Sequence, residues 1–205
     1  MVFARPGPKG QDPPRETRSV NASRVKQFLS FWRPRDESGS AAIEFAFVAP
    51  VFFVLLFGII EGGIMFFGQA ALINATQDAA RLIRTGQAQG DLGLDQGAFK
   101  QKVCDGISAL FKDCSTNLLV DVQAYPAGFG GNLPSPLDGG DPQAGFGTNY
   151  NAGGPCDVVI VRALYKYNVI TPIVSPLLTG GKGYKYLLAA AAIRNEPYTA
   201  AVQGC

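Results

Sequence analysis

Residues 41–68 read AAIEFAFVAPVFFVLLFGIIEGGIMFFG, an apolar run in an otherwise mixed chain of 205 residues. Between Phe45 and Phe67 there are fifteen Leu, Ile, Phe or Val residues and one charged residue, Glu61. On an insertion scale these fifteen contribute roughly −4.5 to −9 kcal/mol, against about +3 kcal/mol for one acid. A helix of this length spans about 42 Å, more than the roughly 30 Å of a hydrocarbon core. The sequence therefore predicts one transmembrane helix over residues 40–69.

Two other interpretations of this run exist. A core helix of a soluble domain is one, but the remaining segments could not surround so long an apolar helix. A cleaved secretory signal is the other, because Gly68 and Ala70 are small residues that a signal peptidase accepts. The run is, however, about twice as long as a usual signal-peptide core. Retention as an anchor is the better interpretation.

The charges flanking the run predict its orientation. Residues 1–40 hold eight Lys or Arg against four acids, whereas residues 70–205 hold ten of each sign. The positive-inside rule places a basic leader, residues 1–39, in the cytoplasm and residues 70–205 on the other side of the membrane. The neutral balance of that larger part gives no electrostatic footprint for binding nucleic acid.

All four cysteines fall on the predicted exported side. They are Cys104, Cys114, Cys156 and Cys205. An even number in an oxidising compartment favours disulfides, for which three connectivities exist. We favour the local pair Cys104 with Cys114, which leaves Cys156 with Cys205. A zinc site is the alternative, but the chain has neither a histidine nor a C-x-x-C motif, so we expect no metal site.

The junction between leader and helix carries a more specific motif. A polar, basic leader ends at Gly39, and the apolar helix after it has Glu44 at the fifth position after that glycine. This arrangement resembles the processing site of type IV prepilins and pseudopilins. Residues 42–50, AIEFAFVAP, and the Phe, Leu and Gly-rich run to Glu61 are similar to the TadE-like family of tight-adherence (Flp) pilus assembly proteins. The closing residues 194–198, RNEPY, are also similar to the end of that family's domain, and the resemblance is strongest over residues 38–85.

The resemblance implies a function and a set of partners. It implies a pseudopilin of the bacterial inner membrane, cut after Gly39 by prepilin peptidase, that acts with other pilins or pseudopilins and pilus assembly proteins. It implies that Glu44 pairs with the new amine of Ser40 in a neighbouring subunit. The alternative for Glu44 is an acid stabilised by the helix macrodipole near the interface. The alternative for the whole chain is an uncleaved, membrane-tethered periplasmic binding module.

Glu61 is the second acid in the apolar run. It lies seventeen residues after Glu44, which places it about 260° around the helix and roughly 25 Å along it. The two carboxylates therefore cannot form a catalytic pair. A contact with a partner helix and a position in the outer headgroup region are equally good expectations for Glu61.

The exported part is predicted to be an α+β domain, with helices packed on an antiparallel sheet of about three strands. The first helix continues out of the membrane with a stripe of apolar residues and ends near Gly86 or Gly90. The stripe comprises Leu72, Ala75, Ala79, Leu82 and Ile83. Further elements are a helix over 95–112, strands over 118–125, 156–170 and 184–195, and a long Gly and Pro-rich loop over 126–155. That loop is either a binding loop or a solvated insertion.

Residue types required for common enzyme chemistry are missing. Without a histidine there is no Ser-His or Cys-His nucleophile. Gly180 to Gly183 lacks the spacing of a phosphate-binding loop and is expected to be a tight turn. We therefore expect no enzyme activity, no cofactor and no small-molecule substrate. An envelope enzyme using acids such as Asp121 or Asp157 is the weakest alternative.

Overall fold

The computed structural model describes residues 38–126, 128, 133–198 and 205. Nearly all of the predicted leader lies outside this part of the chain. Internal contacts divide the chain into two units, residues 1–46 and residues 47–205. The first unit is described only as the beginning of a helix. The second unit contains the rest of that helix and the folded domain.

The long helix, α1, covers Ser38–Arg84 and includes Pro50. Within the described residues it is the one helix long and apolar enough to cross a membrane, in agreement with the predicted single span. The helix ends close to the predicted Gly86. This glycine has a φ of 77°, and a Cβ at its position would collide with the ring of Tyr198. Glycine is needed here both for the left-handed backbone and for the close approach.

Three strands of the described chain form one antiparallel sheet. They are β1 (Leu118–Tyr125), β4 (Val158–Asn168) and β5 (Tyr184–Arg194), with β4 in the centre. Val122 pairs with Val161, which in turn pairs with Ala191. The alanine run Ala189–Ala192 is therefore a strand, although its composition alone favours helix. The predicted α+β fold with a three-stranded sheet is confirmed.

One face of the sheet packs against helices. Apart from Leu82, which is half-buried, the predicted stripe of α1 is buried with Val159, Val161 and Ala163 of β4. The second helix, α2 (Gln96–Ile107), crosses α1 closely, since a Cβ on Gly106 would lie 2.6 Å from the Cβ of Ala75. The stripe therefore serves the chain's own core.

The other face of the sheet is covered by the connection between β1 and β4. Ile160, Arg162 and Leu164, which point away from the helices, are buried as well. Because both faces of β4 are covered, this strand loses the alternation of polar and apolar residues expected of a half-buried strand. The connection also contains the short hairpin strands β2 (Leu137–Asp138) and β3 (Asp141–Pro142), so the prediction of a long loop over 126–155 is wrong at these residues.

The predicted helix over 95–112 is too long at its C-terminal end. Asp95 is its N-cap and accepts a hydrogen bond from Ala98 N at 2.7 Å, but α2 ends at Ile107. The chain then turns into the one-turn helix α3 (Cys114–Asn117). This turn brings Cys114 to Cys104, and a helix running straight to residue 112 would carry the two cysteines apart. One further short helix, α4 (Ser175–Thr179), lies between β4 and β5.

Candidate functional sites on the long helix

The predicted processing site lies in the first turn of α1. Gly39 and Ser40 are exposed, and a side chain at Gly39 would meet nothing within 4 Å. Ser40 Oγ donates a hydrogen bond to Glu44 Oε1 at 3.3 Å, and Glu44 is exposed too. Gly39, Ser40 and the Glu44 carboxylate are therefore all exposed in the structure.

Glu61 occupies a different environment. Its side chain is only 1% exposed, although it belongs to the apolar segment of α1. Glu61 Oε1 accepts hydrogen bonds from Tyr167 Oη at 2.7 Å and Ile170 N at 3.0 Å. Glu61 Oε2 accepts from Thr171 Oγ1 at 2.7 Å and Thr171 N at 3.1 Å. Four donors from the chain's own sheet and the segment after it thus surround this carboxylate.

These four donors come from the end of β4 and the segment after it. We call residues 169–183, which join β4 to β5, the β4–β5 connection. Burial, and then the hydrogen bond to Glu61, raise the pKa of Tyr167, so this hydroxyl stays protonated and remains a donor. A carboxylate removed from water is costly unless hydrogen bonds replace its hydration. Here Tyr167 and the connection together supply these hydrogen bonds, and the connection is thereby fixed to α1.

The sequence does not predict this site for Glu61. Its pattern favours a partner helix or the headgroup region, whereas the observed contacts are within the chain. A buried acid in an apolar helix does signal a need for donors. Nothing in the spacing, however, connects Glu61 with Tyr167 or Thr171, which lie more than a hundred residues away.

The four cysteines form two disulfides. Cys104 is bonded to Cys114, and Cys156 is bonded to Cys205. This confirms the favoured connectivity. The first bond joins α2 to α3, and the second ties residue 205 to the start of β4.

The two acids considered for an envelope enzyme have structural contacts. Asp121 is fully buried and its Oδ2 pairs with Arg162 Nη2 at 2.7 Å. Asn149 Nδ2 donates to Asp121 Oδ1 at 3.1 Å, so both carboxylate oxygens are engaged. Asp157 Oδ2 accepts from Gly154 N at 2.7 Å and closes a turn. Within the described residues, no three His, Cys, Asp or Glu side chains form a cluster that could hold a metal ion.

A surface cluster fixes the β2–β3 hairpin to β5. Asp141 Oδ2 lies 2.8 Å from Lys182 Nζ, and Tyr184 Oη donates to Asp141 Oδ1 at 2.9 Å. The bond from Lys182, and after it that from Tyr184, holds the pKa of Asp141 below its ordinary value. The cluster thus stabilises the fold above the pKa of the unfolded carboxyl, and this contribution is lost as the pH falls through the lower, folded pKa.

We expect this shift to depend on Lys182. In an NMR titration of the full chain in detergent, Asp141 should titrate below an ordinary aspartate, and Lys182→Met should move its pKa upward. Lys185→Met, which removes an exposed lysine near the start of β5, is the matched control and should move the pKa of Asp141 less. An unchanged Asp141 pKa in Lys182→Met would contradict the assignment.

The described residues define a class of protein: a single apolar helix, long enough to span a membrane, that enters the core of a disulfide-bonded α+β domain. Residues 39–81 match the model of a family described as TadE-like protein. The predicted resemblance is confirmed over these residues, which include Gly39, Glu44 and Glu61. Searches of curated proteins and of solved structures found no match.

Proposed function

We propose that this chain is a TadE-like pseudopilin, a non-enzymatic minor component or assembly factor of a Tad/Flp type IV pilus or related secretion machine. The family match over residues 39–81 is the observation that carries the proposal. The match begins at Gly39, the residue that the motif predicts to precede the cut. In its first turn α1 leaves this site exposed.

The proposed topology rests on charge and redox chemistry. The basic leader is cytoplasmic, α1 crosses the bacterial inner membrane once, and the domain is periplasmic. Two disulfides support the periplasmic location, because such bonds persist in oxidising compartments. The membrane, prepilin peptidase and other pilins or pseudopilins are the proposed partners.

In this proposal, cleavage creates the charged group with which Glu44 pairs. Removing residues 1–39 leaves the amine of Ser40 at the start of the helix, and a cation there is poorly placed because the helix macrodipole is already positive. The exposed Glu44 of a neighbouring subunit can neutralise this amine. The bond between Ser40 Oγ and Glu44 Oε1 seen in the intact chain is long, at 3.3 Å, and exposed, so little is lost when it is exchanged.

The mature N-terminus tests the proposal. We expect mass spectrometry of membranes from peptidase-positive cells to find the chain starting at Ser40, and the start to be lost in peptidase-negative cells. Gly39→Ala should abolish or strongly slow processing. Gly62→Ala is the matched control, since a Cβ there meets nothing within 4 Å, and it should be processed normally. An N-terminus at Met1 or Val2 in every sample would overturn the proposal and favour the uncleaved binding module.

A further inference from the structure

The β4–β5 connection is held at a defined height along α1. Ile170 N and Thr171 N bind the Glu61 carboxylate, and Val174 Cγ1 lies 3.8 Å from the position of a Cβ on Gly58. The connection therefore lies beside the helix turn from Gly58 to Glu61.

The surface of α1 is apolar on both sides of this turn. Ile59 and Ile60 are exposed within it. Beyond it, Phe66 is 78% and Phe67 is 62% exposed. Phe67 lies six residues past Glu61, or about 9 Å along the helix. The connection lies beside residues 58–61, which come before Phe67 along α1. A membrane that covers Phe67 therefore also reaches the connection.

The connection is itself apolar. Residues 169–181 contain no Asp, Glu, Lys or Arg, while Lys166 and Lys182 stand on either side. Ile170, Ile173 and Leu177 are 67%, 65% and 79% exposed, whereas Val174 is buried. Exposed apolar residues grouped this way mark an interaction surface more often than isolated ones do.

The backbone N–H groups of the connection are also largely satisfied without water, as an apolar medium requires. Two of its residues, Pro172 and Pro176, have no backbone N–H. Six of the N–H groups from residues 170 to 178 donate within the chain, two to Glu61 and the others to carbonyls of Thr171 and Val174. Backbone donors in contact with hydrocarbon have to be satisfied internally, because no water is available there.

We propose that the β4–β5 connection is a second membrane contact, in which Ile170, Ile173 and Leu177 enter the outer interface of the bilayer beside α1. We choose lipid as the occupant because the exposed apolar surface of the connection adjoins that of α1, so one bilayer can cover both. The inference rests on the proposed membrane anchoring of α1. A second contact, held to the helix through Glu61, fixes the tilt and rotation of the domain at the membrane surface.

Tryptophan depth measurements test this contact on the full chain. Each variant is made in a Trp32→Phe background, which removes the chain's single tryptophan, and is placed in vesicles of phosphatidylcholine or of its chain-brominated analogue. The exposed positions Ile173→Trp and Leu177→Trp report on the connection. Phe52→Trp reports on the anchor, and Leu92→Trp, on an exposed part of the domain after α1, is the aqueous control.

We expect brominated lipid to lower the emission of Trp at 173 and 177 by about two-fold or more, since interfacial apolar residues lie about 5–10 Å into the headgroup boundary. Trp at 92 should be unaffected. Quenching at 52 without quenching at 173 and 177 overturns the second contact and leaves the anchor intact. Absence of quenching at 52 overturns the anchoring itself. A blue-shifted emission at 177 that brominated lipid does not quench indicates a protein partner and also overturns the proposal.

Discussion

Glu61→Ala is expected to lower the free energy of unfolding of the domain by about 3–5 kcal/mol, near the upper end for a single substitution. The substitution removes one acceptor group and leaves four donors, including Tyr167 Oη and Thr171 Oγ1, without their partner. Hydrogen bonds to a charged group contribute about 1.5–3 kcal/mol each, and part of this loss is recovered by rearrangement and by water. The connection also loses its attachment to α1.

Thermal unfolding of the full chain in detergent micelles, monitored by near-ultraviolet circular dichroism, measures this effect. For a domain of this size the expected loss lowers Tm by roughly 6–20 °C. Glu61→Gln should lie between wild type and Glu61→Ala, because its amide keeps one acceptor oxygen. The exposed Glu44→Ala is the matched control and should leave Tm nearly unchanged. Equal Tm values for Glu61→Ala and Glu44→Ala would refute the structural role of Glu61.

Arg162→Met is expected to cost about 3–5 kcal/mol, because it leaves the buried Asp121 carboxylate without its cation. The pair lies on the face of the sheet opposite the helices, 2.7 Å apart and almost fully buried. Arg162 Nη1 also donates to Pro134 O at 2.8 Å, and its guanidinium lies 5.2 Å from the centre of the Phe146 ring. The same substitution therefore loosens the connection between β1 and β4.

A double variant separates the two contributions to this loss of stability, the unpaired Asp121 charge and the lost contacts of Arg162. Asp121→Leu combined with Arg162→Met should recover a large part of the stability, since apolar residues commonly replace a buried ion pair at little cost. Unfolding of both single variants and the double variant gives the coupling energy. Lys185→Met, an exposed cation on the same sheet, is the control. Additive losses in the double variant would show that charge pairing is not the cause.

Much of the fold is encoded locally and could be predicted. The bounds of β1 match the predicted strand, and β5 begins at the predicted Tyr184. The periodicity of the apolar stripe of α1 predicts a buried face, and the structure shows this face packed in the chain's own core. The Cys104–Cys114 pair was predictable because a short separation favours closure.

The remaining features depend on contacts between distant residues. The Gly and Pro-rich segment after β1 has the composition of a loop, yet its residues Pro134 and Phe146 contact the buried Arg162 on the outer face of the sheet. The composition of that segment gives no sign of this packing. Likewise, the role of the β4–β5 connection depends on its height beside Glu61, which no local pattern specifies. The proposed processing site is the opposite case, because its prediction rests on a linear motif that the sequence alone carries.

The two acids of α1 respond differently when the helix changes its surroundings. Glu61 obtains all four of its donors from its own chain, so its solvation shell travels with it, from lipid into contact with any other apolar helix. Such a transfer leaves the four hydrogen bonds of Glu61 in place. Among the described residues Glu44 has no comparable set of donors, since its side chain is exposed and accepts a hydrogen bond from the hydroxyl of Ser40. The solvation of Glu44 therefore changes with every new neighbour. Of the two acids, residue 44 is the one whose solvation energy depends on where the helix moves.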